Sequence, residues 1–178
     1  MKSNEVKKNL LFRFLYGRSF IFATTEMGLF DGFSVVADVV ALSKKYKFYE
    51  VEVKTNITDL RGELKTVQNI LEEGISDMRL AKYCKHRIYL KDPDKDNLFI
   101  PHRFYFSVPY EHKEEALSTL SKTPYGLMDL QGNVYKVARD LHKKPIQKDF
   151  IDKMLQRLSR VNYDLLEKYD KRKNIRTI

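Results

Sequence analysis

FYEVEVKTN, residues 48–56, is the stretch on which the reading of the fold turns. Its alternation predicts a β-strand, with Tyr49, Val51 and Val53 on one side and Glu50, Glu52 and Lys54 on the other. The first face suits a core. The second carries charge, and the question is what a strand does with a row of it.

The sequence on either side supports the strand. Upstream, FIFATTEM and SVVADVVAL are β-rich runs separated by GLFDG, and KKYK turns into FYEVEVKT, so three strands in succession predict an antiparallel meander. Before them, residues 4–17 space Val6, Leu10, Leu11, Phe14 and Leu15 as on a helix, with Asn4 as cap and Gly17 as stop. Downstream the period changes to three or four at Leu60, Leu64, Val67, Ile70 and Leu71, which predicts a helix capped by Asn56 or Thr58 and ended by Gly74. A shorter helix follows over Asp77–Arg87, then a polar loop DPDKDN, a strand RFYFSV closed by Pro109, and a helix over 111–122. Two short strands flank a turn at Gln131–Asn133, and Pro145 opens a long amphipathic helix carrying Phe150, Met154, Leu155, Leu158, Val161, Leu165 and Leu166. HRIYL at 86–90 echoes HRFYF at 102–106, but one short echo is no repeat architecture.

With 178 residues, 43% of them hydrophobic, the chain can build one core with an appended helix. Its net charge of +9 suggests a polyanionic partner. The charge concentrates at the two ends: Lys2, Lys7, Lys8, Arg13 and Arg18 near the start, and a Lys- and Arg-rich run after Tyr135. The lone Cys84 rules out an internal disulfide and a four-cysteine zinc site, which fits a reducing, cytoplasmic setting. Arg13 and Arg18 interrupt the first apolar run and Asp38 the second, so the expectation is a soluble protein that neither spans a membrane nor carries a secretion signal.

Phosphodiester cleavage needs carboxylates to hold a divalent ion and a cation or base to assist the attacking water. Asp38 and Glu52 can supply the carboxylates and Lys54 the cation, because a short connection sets the strand of Asp38 beside that of Glu52 and Lys54. Hard Mg²⁺ favours oxygen, so Asp38, Glu52 and the backbone carbonyl of Val53 make a plausible shell, for which Mn²⁺ can substitute. The Glu-x-Lys spacing is unspecific, recurring at Glu5/Lys7, Glu63/Lys65 and Glu111/Lys113. The alternative is a surface strand with cross-strand charge pairs.

VADVVAL followed by YEVEVKT resembles the core of the PD-(D/E)XK nuclease superfamily, in which an Asp and a Glu-x-Lys lie on neighbouring strands. The likeness extends to the MmcB-like DNA-repair branch and its phage relatives, where the Glu-x-Lys strand leads into a helix patterned like KTSxxDFxxDxK; here residues 54–65 read KTNITDLRGELK. HRFYFSVP at 102–109 and YGLMDLQGNVYKVAR at 125–139 are similar to that family's closing strands, and KHRIYL at 85–90 to a KHxxY element of the phage relatives.

The resemblance implies an α/β fold with a restriction-endonuclease-like core, a central mixed sheet flanked by helices, and a C-terminal amphipathic helix. It implies a nuclease-like domain over 1–142, with 66–84 as an insertion, and a basic C-terminal helix over 143–178 packed on or extending the core. Asp38 and Glu52 would be metal ligands, Lys54 the catalytic lysine and Glu26 an additional acid. Lys65, Lys85, Tyr89 and Arg103 are the nucleic-acid-binding candidates. The function expected is that of a Mg²⁺-dependent deoxyribonuclease, endonuclease before exonuclease, in DNA repair or phage DNA metabolism, with DNA as partner and a homodimer or repair protein as a further one. The alternative is a non-catalytic nucleic-acid-binding module on the same fold.

Other candidates carry less. Cys84 and His86 lack partner ligands for zinc, and no hydrolase elbow or phosphate-binding glycine loop occurs. The aromatics of RFYFSV read as core rather than stacking platforms, and the C-terminal helix as a solvated face, a DNA clamp or a dimer contact.

Overall fold

The computed structural model describes residues 2–17, 19–28, 36–72, 81–93, 100–146 and 148–175, with side chains described except at 81–83, 162 and 164–175. Two compact units are present, Met1–Pro145 and Ile146–Ile178.

The first unit is an α/β fold around a six-stranded mixed sheet. Helix α1 (Ser3–Tyr16) precedes the strands β1 (Phe20–Gly28), β2 (Val36–Ser43) and β3 (Phe48–Val53), which pair antiparallel as the expected meander. Helices α2 (Ile57–Leu71) and α3 (Ala81–Lys91) then lead to β4 (Arg103–Val108), which lies parallel to β3. A 3-10 turn (Tyr110–His112) and α4 (Lys113–Leu120) lead to β5 (Gly126–Asp129), parallel to β4, and β6 (Val134–Lys136) closes the sheet antiparallel. Parallel neighbours need a crossover, and the helices supply both. The second unit is described by α5 (Lys148–Ile175).

Local chemistry sets the boundaries. Asn56 caps α2, its side chain accepting from the Thr58 N–H at 2.7 Å, as its position before the apolar period predicts. The β5–β6 turn closes through Gly132 at φ 82°, where Arg13 Cδ and Leu10 Cδ2 would lie 2.8 and 3.1 Å from an added Cβ. Arg13 fastens α1 to this turn by donating to the Gln131 carbonyl and to Asn133 Oδ1. Lys136 clamps the end of α4 by donating to the carbonyls of Leu120, Thr123 and Tyr125.

One sheet face meets α1: Val6, Leu10 and Phe14 pack against Val39, Ala41, Val51, Val53, Tyr105 and Met128. Phe104 and Phe106 point to the other face and are fully buried with Tyr125 and Leu127, so the aromatics of RFYFSV are core.

Several expectations change. Helix α1 starts at Ser3 behind Lys2, so Asn4 lies within the helix and is not its cap, and Pro145 lies ahead of α5, which begins at Lys148. HRIYL belongs to α3 while HRFYF enters β4, so the echo spans two kinds of structure. Residues 66–71, within the stretch expected to be an insertion, are the second half of α2, and Val67 and Ile70 are buried there. The remainder of that stretch up to residue 80, the stop at Gly74, the start of the helix expected from Asp77, GLFDG beyond Gly28 and most of DPDKDN lie outside the described residues. No helix among the described residues is long and apolar enough to cross a membrane.

Candidate functional site

The charged face of β3 is not at the surface. It is roofed by α2 and α3, which makes the strand buried on both sides and overturns the surface-strand alternative. Burying ionised groups is costly unless they are paired and hydrogen-bonded. The residues beneath the helices meet that demand.

Glu52 has an ammonium on each oxygen, Lys54 Nζ at 2.7 Å from Oε1 and Lys85 Nζ at 2.8 Å from Oε2. Lys54 also reaches Glu63 Oε2 at 2.6 Å, and Lys85 reaches Glu50 Oε1 at 3.3 Å. Tyr89 donates to the other Glu50 oxygen at 2.6 Å. Lys85 and Tyr89 stand one helical turn apart on α3, so both project onto β3. They therefore reach the charged cluster, but as buried groups; Lys85 is 2% exposed.

Glu63 continues the network from α2. Its Oε1 lies 2.8 Å from His86 Nε2, and His86 Nδ1 lies 3.0 Å from the Tyr125 hydroxyl. Burial pushes the His86 imidazole below its ordinary value, against the opposing pull of Glu63. Burial would raise Glu63, yet the His86 hydrogen bond and the neighbouring positive charges outweigh it and hold the carboxyl well down. An ionised Glu63 only accepts, so a neutral His86 carries its proton on Nε2 and accepts from Tyr125 on Nδ1. His86 is thus engaged on both ring nitrogens, not poised as a zinc ligand.

Burial opposes the charge on Lys54, but Glu52 and Glu63 overcome it and keep the ammonium protonated well above its ordinary range. Glu50 behaves oppositely: burial raises its carboxyl in spite of Lys85 and Tyr89.

Asp38 joins the site by its backbone register. Val39 pairs with Val51 and Val40 with Glu50, so Asp38 stands at the next position, opposite Glu52. Its Oδ2 accepts from the Val53 N–H at 2.8 Å, the amide between Glu52 and Lys54 in the chain. Lys7 of α1 lies 2.7 Å from Asp38 Oδ1 and 3.2 Å from Glu26 Oε1. Glu26 adopts φ 54°, which is uncommon for a non-glycine residue. The carboxyl side chains become progressively more buried: Glu26 is 53% exposed, Asp38 22%, Glu52 9% and Glu63 0%. The site is open at β1 and β2 and sealed under the helices.

Two candidates stand elsewhere. Lys65 faces outward on α2. Arg103 is not a free phosphate contact: it pairs with Asp140 at 2.8 Å and lies over the Tyr49 ring. Sequence reasoning passed over Lys7, Glu50, Glu63, His86 and Tyr125 as site residues. Glu63 stood at the acidic position of the KTSxxDFxxDxK-like pattern and His86 inside KHRIYL, whereas Lys7 had no signal beyond its charge.

The donor set can be tested against a hard divalent ion. No group of three or more His, Cys, Asp or Glu side chains among the described residues is arranged to hold a metal by itself. Every oxygen of Asp38 and Glu52 already accepts a hydrogen bond, but each keeps a second lone pair. The network has five carboxyl groups (Glu26, Asp38, Glu50, Glu52, Glu63) to three ammonium groups (Lys7, Lys54, Lys85), an acidic excess that survives protonation of Glu50. The carboxylate oxygens of Asp38 and Glu52 are donors of the kind that Mg²⁺ or Mn²⁺ takes.

No family model and no curated protein matches the chain. Among solved structures it is similar to the SPO1766 protein of unknown function from Silicibacter pomeroyi, with a TM-score of 0.60 and 16% identity over 93% of this chain and 92% of that one. At that identity the likeness concerns the fold alone.

Proposed function

We propose that the protein is a metal-dependent DNA nuclease with a restriction-endonuclease-like core of the PD-(D/E)XK type. One observation carries the reading: the Asp38 carboxylate accepts from the Val53 N–H, so the Asp of one strand contacts the backbone inside the Glu-x-Lys of its neighbour. The mixed sheet flanked by helices, the surplus of oxygen ligands and the net charge of +9 support it.

Asp38, Glu52 and the Val53 carbonyl would hold Mg²⁺ or Mn²⁺. When bound, the ion neutralises phosphate charge and acidifies a coordinated water. Lys54 acts as a fixed cation and not as a base, because Glu52 and Glu63 keep it protonated; its role is to stabilise negative charge developing on the phosphate. Glu63 and His86 hold Lys54 in place from behind, while Lys85 holds Glu52. Lys7, shared between Asp38 and Glu26, is the cation nearest solvent on the open side.

The test uses labelled single-stranded, duplex and branched DNA with Mg²⁺, Mn²⁺ or EDTA, and Asp38→Asn as control. The asparagine amide oxygen can still accept from the Val53 N–H, so this variant removes charge without removing the backbone contact. Metal-dependent cleavage that drops at least about 100-fold in Asp38→Asn, with melting temperature and DNA binding retained, is the expected result. Cleavage unaffected by the substitution rejects the assignment. A second reading, a non-catalytic DNA-binding module, is favoured by the complete engagement of the Asp38 and Glu52 oxygens with N–H donors. Salt-dependent binding without cleavage by either protein would select it.

A further inference from the structure

The sheet edge that carries Lys54 continues into an aromatic pair that the core does not use. The Lys54 N–H donates to the Ser107 carbonyl at 2.9 Å, and the chain leaves β4 at Val108 to turn at Tyr110. Tyr110 is 71% exposed, so its ring is open to solvent. Tyr135, on β6, approaches it edge-on, with ring centroids 6.2 Å apart and planes at 70°. Tyr135 is anchored from below, its hydroxyl donating to Asp129 Oδ2 at 3.3 Å. Lys113 Nζ stands 5.0 Å from the Tyr135 ring and 5.9 Å from that of Tyr110, and 3.5 Å from Glu114 Oε1.

Tyr110 follows the carboxyl end of β4, directly beside β3, and Tyr135 lies at the same edge of the sheet, because β6 runs antiparallel to β5. Ligands of open α/β sheets bind outside the carboxyl ends of parallel strands. With neighbouring strands about 4.8 Å apart, the step from β3 to β6 is roughly 14 Å, within the span of a short oligonucleotide.

We propose that Tyr110, Tyr135 and Lys113 form a platform for single-stranded DNA, the rings stacking on unpaired bases and the ammonium holding an adjacent phosphate. The inference rests on the reading of the protein as one that acts on DNA and adds a substrate class to it. A base inside a duplex has no free face, whereas a single strand offers one at every nucleotide and needs a ring and a cation to exploit it. Rings that are rigid and pre-placed lose little freedom on binding.

The experiment measures binding of a labelled oligothymidylate and of a duplex of equal length in EDTA, so that cleavage plays no part. Tyr110 is exposed, and circular dichroism verifies that its variants fold. Tyr110→Ala is expected to weaken single-strand binding about 5- to 150-fold while Tyr110→Phe retains it and duplex binding is unchanged. Lys113→Ala should lower the salt slope for the single strand by about 0.7. Wild-type affinity in Tyr110→Ala, an equal loss in Tyr110→Phe, or no binding of the oligonucleotide by the wild type overturns the proposal. Binding that needs Tyr110 in a protein that never cleaves upholds the platform and rejects the nuclease. Cleavage lost in Asp38→Asn but single-strand affinity unchanged in Tyr110→Ala does the reverse.

Discussion

The two faces of β3 are buried to the same depth by opposite chemistry. Toward α1, Val51 and Val53 lie in an apolar layer with Val6, Leu10, Phe14, Tyr105 and Met128. Toward α2 and α3, Glu50 and Glu52 lie under Lys85, Tyr89, Lys54, Glu63 and His86. The apolar face gains stability from removing surface from water and tolerates any occupant of the right shape. The charged face gains little net from its pairs, since desolvation opposes their attraction, but it loses heavily when one partner goes missing. A buried ionic layer is thus an expensive way to hold a sheet and an effective way to fix carboxylates and ammonium groups in one geometry.

That contrast can be broken at several points. Lys85→Ala removes the cation shared by Glu50 and Glu52, and urea denaturation should show a loss of about 3–5 kcal/mol. On the opposite face Leu10→Ala should cost about 2–5 kcal/mol, a loss that does not change with pH. Should the Lys85 variant be as stable as wild type, the charged layer is not a coupled unit.

The pH dependence sharpens the comparison. The folded-state values of His86 and Glu63 lie below the ordinary 6.5 and 4.5, so the stability they contribute is present above those values and is lost as pH falls through the lower folded ones. Glu50, raised in the fold, favours the folded state as pH drops and partly offsets them. Thermal melts should show stability falling below pH 6.5 on account of His86 and further below pH 4.5 on account of Glu63, and Glu63→Gln should flatten the fall below pH 4.5. A Glu63→Gln curve parallel to wild type would contradict this account.

Smaller effects lie away from both faces. Gly132→Ala puts a Cβ at a left-handed position against Arg13 and Leu10 and should cost about 1–2 kcal/mol by denaturation. Arg61→Ala removes a surface pair with Glu115 and should leave the melting temperature unchanged within error.

The meander, the Asn56 cap and the buried aromatics of β4 were legible because each rests on local period or local capping. The roof over the charged face was not. Alternation assigns Glu50 and Glu52 to a side, but what covers that side is decided by α3, whose Lys85, His86 and Tyr89 come from more than thirty residues downstream. Short aromatic patterns are also ambiguous: HRIYL and HRFYF differ in two residues, yet one lies in α3, where its Tyr89 turns onto Glu50, and the other enters β4. Asp38 and Glu52-x-Lys54 could be placed on neighbouring strands, whereas Lys7 entered only once α1 had packed across the sheet.

The connectivity also orders events in time. The β1–β3 meander is closed by short-range contacts and can form quickly, while β4 must return across the chain from residue 53 to residue 103 before it pairs with β3. Glu50 and Glu52 can lose their water only when α3 and β4 dock on β3. Amide exchange in α3 should therefore be faster than in the meander, since the same step, run backwards, opens the charged layer first.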